Sequence, residues 1–497
     1  MCMKYFLFNI IILMLGIWFV LKSNLRQKFY RDYILRKVAQ SYFYLNDKGI
    51  FSSYIVLKIA DLIYAESLKN QKILLSYINA HDFKSVTDFF INKDKVSAYA
   101  FGAFFNLKEN KKNLQQYIKQ NFKDKSALLA LGLIYDSEFN KNKLKQIVKS
   151  LQELKLNKAQ NGIKYYLTAK SELSDADMLN ASVHTLKAIK IFKKYNCFYE
   201  EAEAYALLGE IYRISAVYDL AQTMFDTALK IYDCLDNEIK SAQIKALKAM
   251  LCVGQERFDE ADSLFSQSKK TFKTAKLTLS EAEIINQQAL LNVLQKKYSK
   301  ALKYATKALM LHQKCKNISG EAFSFEIIAL IYFYKKDYKT ALENAQNAMI
   351  NYLKSKNYSG FADSVFVAAQ SLFELKEYKK AENMCRELID TYEKHSTCFH
   401  IASAYSLLGL IYIKLKDFNR ATALFKKSVN LEQCNERYTA AATDYTNLAL
   451  IEKKLGNKEN ELRYLDAALE NAKKQGDDKL IKIIKEQIKK QTVLDNK

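Results

Sequence analysis

The feature that most constrains this chain is a spacing. An aromatic residue followed three positions later by alanine occurs at Tyr218/Ala221, Phe258/Ala261, Tyr298/Ala301, Tyr338/Ala341, Tyr378/Ala381 and Phe418/Ala421, each step being 40 residues. Twelve residues before these alanines stand small residues, Gly209, Ala249, Ala289, Ala329, Ala369 and Gly409, and the series continues at Ala449. Ala228, Ser268, Ala308, Ala348, Leu388, Ser428 and Ala468 follow in the same register. A repeat of this length stacks supersecondary units in one dimension, so a chain of 497 residues can grow without a single globular core.

The repeating unit reads as a helix hairpin. Between 202 and 235, Tyr205, Leu208, Gly209 and Tyr212 share one face of a first helix, and Ala221, Phe225 and Ala228 share one face of a second. Close helix approach needs small side chains, so the small residue of the first helix is expected against an alanine of the second, with a turn at 216–219 that places Tyr218 over the hairpin end. Composition agrees, with no proline and 12 glycines to interrupt helices.

The order Tyr205, Leu208, Gly209, Tyr212, Ala221, Phe225, Ala228 resembles the tetratricopeptide repeat (TPR) signature, and Tyr405, Leu408, Gly409, Tyr412, Ala421 and Phe425 repeat it. The 40-residue unit is similar to the long-helix subgroup found in kinesin light chains and bacterial response-regulator phosphatases. Departures are Asp233 where proline would close the second helix, and Cys252 and Asn292 in place of Tyr212. The resemblance implies an all-α fold, a right-handed α-α superhelix of the TPR solenoid type, here preceded by one transmembrane helix. The expected organisation is an anchor at 1–24, divergent basic hairpins at 25–159 (with Gly102 and Gly132 as first-helix small positions), the solenoid at 160–475 and a capping helix and tail at 476–497.

The anchor rests on residues 5–21, an uncharged apolar run at the short end of what crosses a bilayer. No A-x-A-like cleavage site follows it, and Cys2 precedes it rather than ending it, so neither a cleaved signal nor a lipoprotein signal fits. Residues 22–160 hold 25 Lys/Arg against 12 Asp/Glu, the densest part of the overall +23 charge. Basic residues beside a span suit anionic lipid headgroups and the cytoplasmic side, so the expectation is a single-pass cell-membrane protein with cytoplasmic repeats, or alternatively an outward-facing one. Without a helix-turn-helix, zinc-finger or RNA-recognition pattern, no nucleic-acid partner is expected. The eight cysteines have no C-x-x-C pair and read as small buried residues rather than a disulfide or zinc framework.

In the TPR family the first helices line the concave face where ligands lie. The residues beside the packing seam are then Glu203, Ala206, Glu210 and Arg213, followed by Glu283, Asn286 and Leu290, Phe323, Glu326 and Phe333, and Asp363, Phe366, Gln370 and Phe373. The candidate groove is Glu203, Glu210, Glu283, Asn286, Glu326, Phe333, Asp363, Phe366, Gln370 and Phe373: carboxylates over aromatics, suited to a peptide or helix with basic and apolar side chains. The five histidines lack metal-ligand spacing, and phosphate-loop, G-x-S-x-G and H-E-x-x-H motifs are missing, so no enzyme, cofactor or metal is expected. The sequence therefore reads as a membrane-anchored protein-interaction scaffold. The alternatives are a peptide-responsive regulatory receptor of the bacterial phosphatase-like TPR type and an outward-facing envelope assembly factor.

Overall fold

The computed structural model describes residues 68–79, 83–95, 98–99, 108–121, 123–137, 141–175, 177–195, 197–355, 357–392, 398–434 and 437–494. Among them every regular element is an α-helix. Upstream come α1 (Leu68–Asn79), α2 (Phe83–Phe90), α3 (Lys108–Gln120), α4 (Lys125–Ser137) and α5 (Lys141–Gln152), then α6 (Lys158–Ser174), α7 (Met178–Lys194), α8 (Phe198–Ile214), α9 (Tyr218–Cys234), α10 (Glu238–Gly254), α11 (Phe258–Thr274) and α12 (Thr278–Leu294). After these lie α13 (Tyr298–Lys314), α14 (Ile318–Tyr334), α15 (Tyr338–Ser355), α16 (Tyr358–Glu374), α17 (Tyr378–Tyr392), α18 (Cys398–Lys414), α19 (Phe418–Cys434), α20 (Tyr438–Leu455), α21 (Lys458–Gln475) and α22 (Asp478–Leu494).

The chain forms two compact units, Met1–Ile284 and Ile285–Lys497, with the division inside α12. In the N-terminal unit the hairpins α6–α7, α8–α9 and α10–α11 stack in chain order, and α8 also touches α6 and α10. In the C-terminal unit α14–α15, α16–α17, α18–α19 and α20–α21 do the same, and each first helix touches the next: α14 on α16, α16 on α18, α18 on α20. First helices therefore gather on one side of each stack, as a TPR-like solenoid requires.

The helix ends obey a shorter period than the hairpin. Ala216, Asp236, Glu256, Lys276, Lys296, Lys316, Lys336, Lys376 and Lys416 all have φ between 50° and 65°, in a 20-residue register that Gly456 and Gly476 continue. The following residue donates its N–H to the carbonyl five positions back, as Lys297 does to Asn292 at 2.8 Å and Asp337 to Tyr332 at 3.0 Å, closing each helix with a Schellman turn. Left-handed backbone costs a residue with a Cβ about 1–2 kcal/mol, and this chain mostly places lysine there. Lys296→Gly and Lys336→Gly are expected to raise stability by about 1 kcal/mol each, seen as an upward shift of the thermal midpoint; a fall at both sites would refute the turn assignment.

Packing differs from the sequence expectation at the crossing. A Cβ at Gly209 would fall 2.7 Å from the Phe225 ring, and one at Gly409 2.7 Å from Phe425. The glycines thus seat a phenylalanine rather than an alanine; Ala221 and Ala421 are buried one turn away. Tyr218 opens α9 and lies over Gly254 of the following hairpin, 3.3 Å from where a Cβ would be. Upstream, Gly132 packs on Leu167 and Ile147, while Gly102 lies outside the described residues. At the end, α22 lays Leu480, Ile481, Ile484 and Ile488 against Leu465, Ala468 and Ala472 of α21. Cysteines divide: Cys252 and Cys385 are buried, whereas Cys234, Cys315 and Cys434 are exposed near the ends of second helices, contrary to the uniformly buried reading.

The expected cell-membrane localisation is corrected. Among the described residues no helix is long and apolar enough to cross a membrane, and the 5–21 run on which the anchor rested lies outside them. The physical reason is length and charge, since the described helices run to 18 residues at most. Even the most apolar, α14, has 17 residues and carries Glu321 and Glu326.

Candidate functional site

The candidate residues fall into two sets. Glu203, Glu210 and Glu283 belong to the N-terminal unit, and Asn286, Glu326, Phe333, Asp363, Phe366, Gln370 and Phe373 to the C-terminal one.

In the first set the acids are already engaged. Glu203 forms a 2.5 Å ion pair with Lys240, whose side chain is only 5% exposed, and accepts a 3.0 Å hydrogen bond from the Tyr232 hydroxyl. Its charge also helps push up Asp136 and Tyr166, which burial raises first, so it sits in a buried polar cluster rather than on a solvated floor. Glu210 is held in a two-pronged contact by Arg213 one turn on, at 2.8 and 2.7 Å. Glu283 is exposed.

In the second set Asn286 is buried and belongs to an internal network. Its side-chain amide lies 3.2 Å from His312 Nε2, its carbonyl oxygen accepts from Ser324 Oγ at 3.0 Å, and Asn317 approaches His312 Nδ1 at 3.2 Å. Gly320 lets α14 close over that imidazole, since a Cβ there would run into the ring. Burial holds His312 neutral with its pKa down to about 4. Neutral imidazole in the fold, ordinary imidazole in the unfolded chain: stability from this group is complete above about pH 6.5 and lost as pH falls towards 4.

Glu326 and Asp363 are the acids the structure brings together. They project from α14 and α16, both half-buried. Tyr352, ending α15, donates its hydroxyl to Glu326 Oε2 at 2.7 Å, and Gly360 makes room for the Tyr352 ring. Burial raises Glu326 to about 7, against the opposing Tyr352 hydrogen bond, and the neighbouring Asp363 charge adds to the rise. Burial likewise raises Asp363 to about 6. One turn from them, Phe323 and Phe366 are partly buried against the core; towards the ends of the same helices Phe333 meets Tyr338 edge-on at 5.5 Å, and Phe373, also partly buried, packs on Tyr378 at 5.6 Å. Gln370 is half-buried on α16. The aromatics are therefore shared between hairpin packing and the first-helix face.

A raised carboxyl pKa has the opposite sign to His312. The folded state holds protons the unfolded chain releases, so this contribution is present below about pH 4.5 and lost as pH rises to 7. Glu326→Gln should therefore gain stability relative to the parent between pH 5 and pH 7.5, read as a growing gap between urea midpoints. A gap independent of pH would show that Glu326 does not titrate in that window.

Sequence reasoning missed one column. Phe192, Tyr232, Phe272, His312 and Tyr352 follow one another at 40-residue spacing near the ends of second helices, and Glu432 stands 80 residues on in the same register, all buried. Tyr232 and Tyr352 use that position to hold a first-helix carboxylate, Glu203 and Glu326. Glu432 occupies it as a carboxyl pushed up to about 7 by burial, with Arg437 at 3.1 Å opposing the shift. Reading the repeats in columns, including the polar exceptions, would have exposed it. Among the described residues no group of three or more His, Cys, Asp or Glu side chains could hold a metal ion.

Stacked helix hairpins whose first helices share one face make an all-helical, TPR-like arrangement. A tetratricopeptide repeat family model matches residues 402–433, the hairpin of α18 and α19. No curated relative matches the chain. Among solved structures, the apo quorum sensor NprR from B. thuringiensis is 16% identical, covering 79% of this chain and 99% of its own with a TM-score of 0.46. Aspartyl phosphate phosphatase F from Bacillus subtilis is 14% identical over 81% of this chain and 94% of its own, TM-score 0.46. Apo RapI is 17% identical over 56% of this chain and 99% of its own, TM-score 0.46.

Proposed function

We propose that this protein is a protein-interaction scaffold that receives a partner peptide or helix on the first-helix face of its C-terminal unit. The observation that carries the reading is the half-buried carboxyl pair Glu326 and Asp363, with Phe323 and Phe366 one turn away on the same two helices, whose neighbours are also first helices. Aromatic floor and carboxyl oxygens are what a helix or strand with alternating apolar and basic side chains needs. The TPR match at 402–433 supports a binding role for the same stack.

Of the groove written from the sequence, the C-terminal set is retained, with Asn286 reassigned to core packing. Glu203 and Glu210 act within the N-terminal unit, through Lys240 and Arg213. The organisation into a divergent N-terminal segment, a solenoid at 160–475 and a terminal capping helix belongs to the same proposal. Reversing both charges, Glu326→Lys with Asp363→Lys, should reduce partner capture by the full chain at least tenfold in a pull-down while the helical circular dichroism is retained. Undiminished capture would remove this face from the account. The regulatory-receptor reading adds that the partner changes the pitch of the stack, which small-angle scattering with and without a captured partner distinguishes.

A further inference from the structure

Resting on the proposed groove, we infer that Glu326, Asp363, Tyr352 and Ser364 form a subsite for one primary ammonium, the lysine side chain of a bound peptide. Ser364 supplies the independent sign. It is fully buried and its hydroxyl has no hydrogen-bond partner, which is costly for a polar group unless some state of the molecule uses it. The two positions held here by Glu326 and Ser364 are joined elsewhere in the same unit, with the serine at Ser364's place in the first case and at Glu326's in the second. Ser324 donates to Asn286 at 3.0 Å and Ser406 to Asp444 at 2.6 Å, each across 38 residues between neighbouring first helices. The residue standing 38 before Ser364 is Glu326, which is turned instead to the Tyr352 hydroxyl at 2.7 Å.

The chemistry selects the ligand. Buried carboxyls near neutral pH retain protons; a cation placed between them favours their ionised form, and the released protons pass to solvent. An ionised Glu326 would then accept from two hydroxyls, Tyr352 on Oε2 and Ser364 from the adjoining helix, leaving its remaining lone pairs for the cation. Partly engaged Glu326 and the carboxylate of Asp363 suit the compact, multiply donating ammonium. A guanidinium prefers both oxygens of one carboxylate, and Tyr352 already occupies one of them. Phe323 and Phe366 on the same two helices offer apolar cover for a lysine stem.

The test uses the full chain and three fluorescein-labelled helical peptides of leucine, alanine and glutamine that differ at one central position: lysine, arginine or norleucine. Fluorescence anisotropy should give the lysine peptide at least tenfold tighter binding than norleucine and tighter binding than arginine. In Glu326→Gln, nearly isosteric, the lysine-to-norleucine ratio should fall to about one, and Asp363→Asn serves if that variant does not fold. Ser364→Ala should lower the ratio without changing norleucine binding. Equal binding of lysine and norleucine peptides, or a ratio preserved in Glu326→Gln, overturns the subsite while leaving the groove. Preference for arginine overturns the ammonium assignment, and absence of binding by all three peptides overturns the groove and the subsite together.

Discussion

Phe425→Ala is expected to lower the stability of the C-terminal unit by about 3–5 kcal/mol, the range for removing a fully buried aromatic ring. The ring lies in the cluster of Tyr412, Ala421, Leu448 and Ile451, and Gly409 is shaped to receive it. Because α18 and α19 sit between α16–α17 and α20–α21, loss of this contact weakens a middle repeat and the interfaces on both sides of it. Urea unfolding followed by circular dichroism measures the loss. Gly409→Ala makes the complementary change, forcing a Cβ against the same ring at a cost of about 1–3 kcal/mol. Combined with Phe425→Leu, which frees that space, it should cost less than the sum of the single changes. A cost for Phe425→Ala below about 1 kcal/mol would contradict the packing described for this hairpin, since even partial relaxation leaves a cavity.

The second large effect is predicted in the N-terminal unit, where Glu203→Leu should destabilise by about 3–5 kcal/mol because it strips the Lys240 ammonium of its carboxylate in a buried site. Tyr232 loses its acceptor in the same step. Replacing both charges, Glu203→Met with Lys240→Met, should recover most of that loss, since a buried ion pair and a well-packed apolar pair of similar volume are close in free energy. Thermal melts of the three variants measure it. If Glu203→Leu is neutral, Glu203 is a solvated acid after all and the buried cluster is wrong.

These two sites also show where the sequence was legible. The 40-residue spacing located the hairpins, because close helix packing needs small and aromatic residues at fixed intervals; the turn expected at 216–219 falls at 215–217, since Tyr218 and Asp219 already belong to α9. It did not reveal that Gly209 and Gly409 serve phenylalanines, since spacing identifies which positions pack and not which partner each side chain meets. Nor could it separate Glu203 from Glu326. Both occupy the same side of a first helix, but Glu203 meets Lys240 from the next first helix, whereas Glu326 meets Tyr352 and Asp363. That distinction lies in residues 26 to 37 positions away. The helix ends were hidden for another reason: lysines occupy left-handed positions where glycine would have marked a stop.

The central claim is that a partner binds the first-helix face of the C-terminal unit. Site-specific photocrosslinking addresses it directly, with benzoylphenylalanine placed at Phe366 or Phe373 on α16 and, for comparison, at Leu353 or Met310, which are exposed on second helices. The account predicts crosslinked partner from positions 366 and 373, diminished by the Glu326→Lys, Asp363→Lys double variant, and little from 353 and 310. Crosslinks from 353 and 310 with none from 366 and 373 would contradict it.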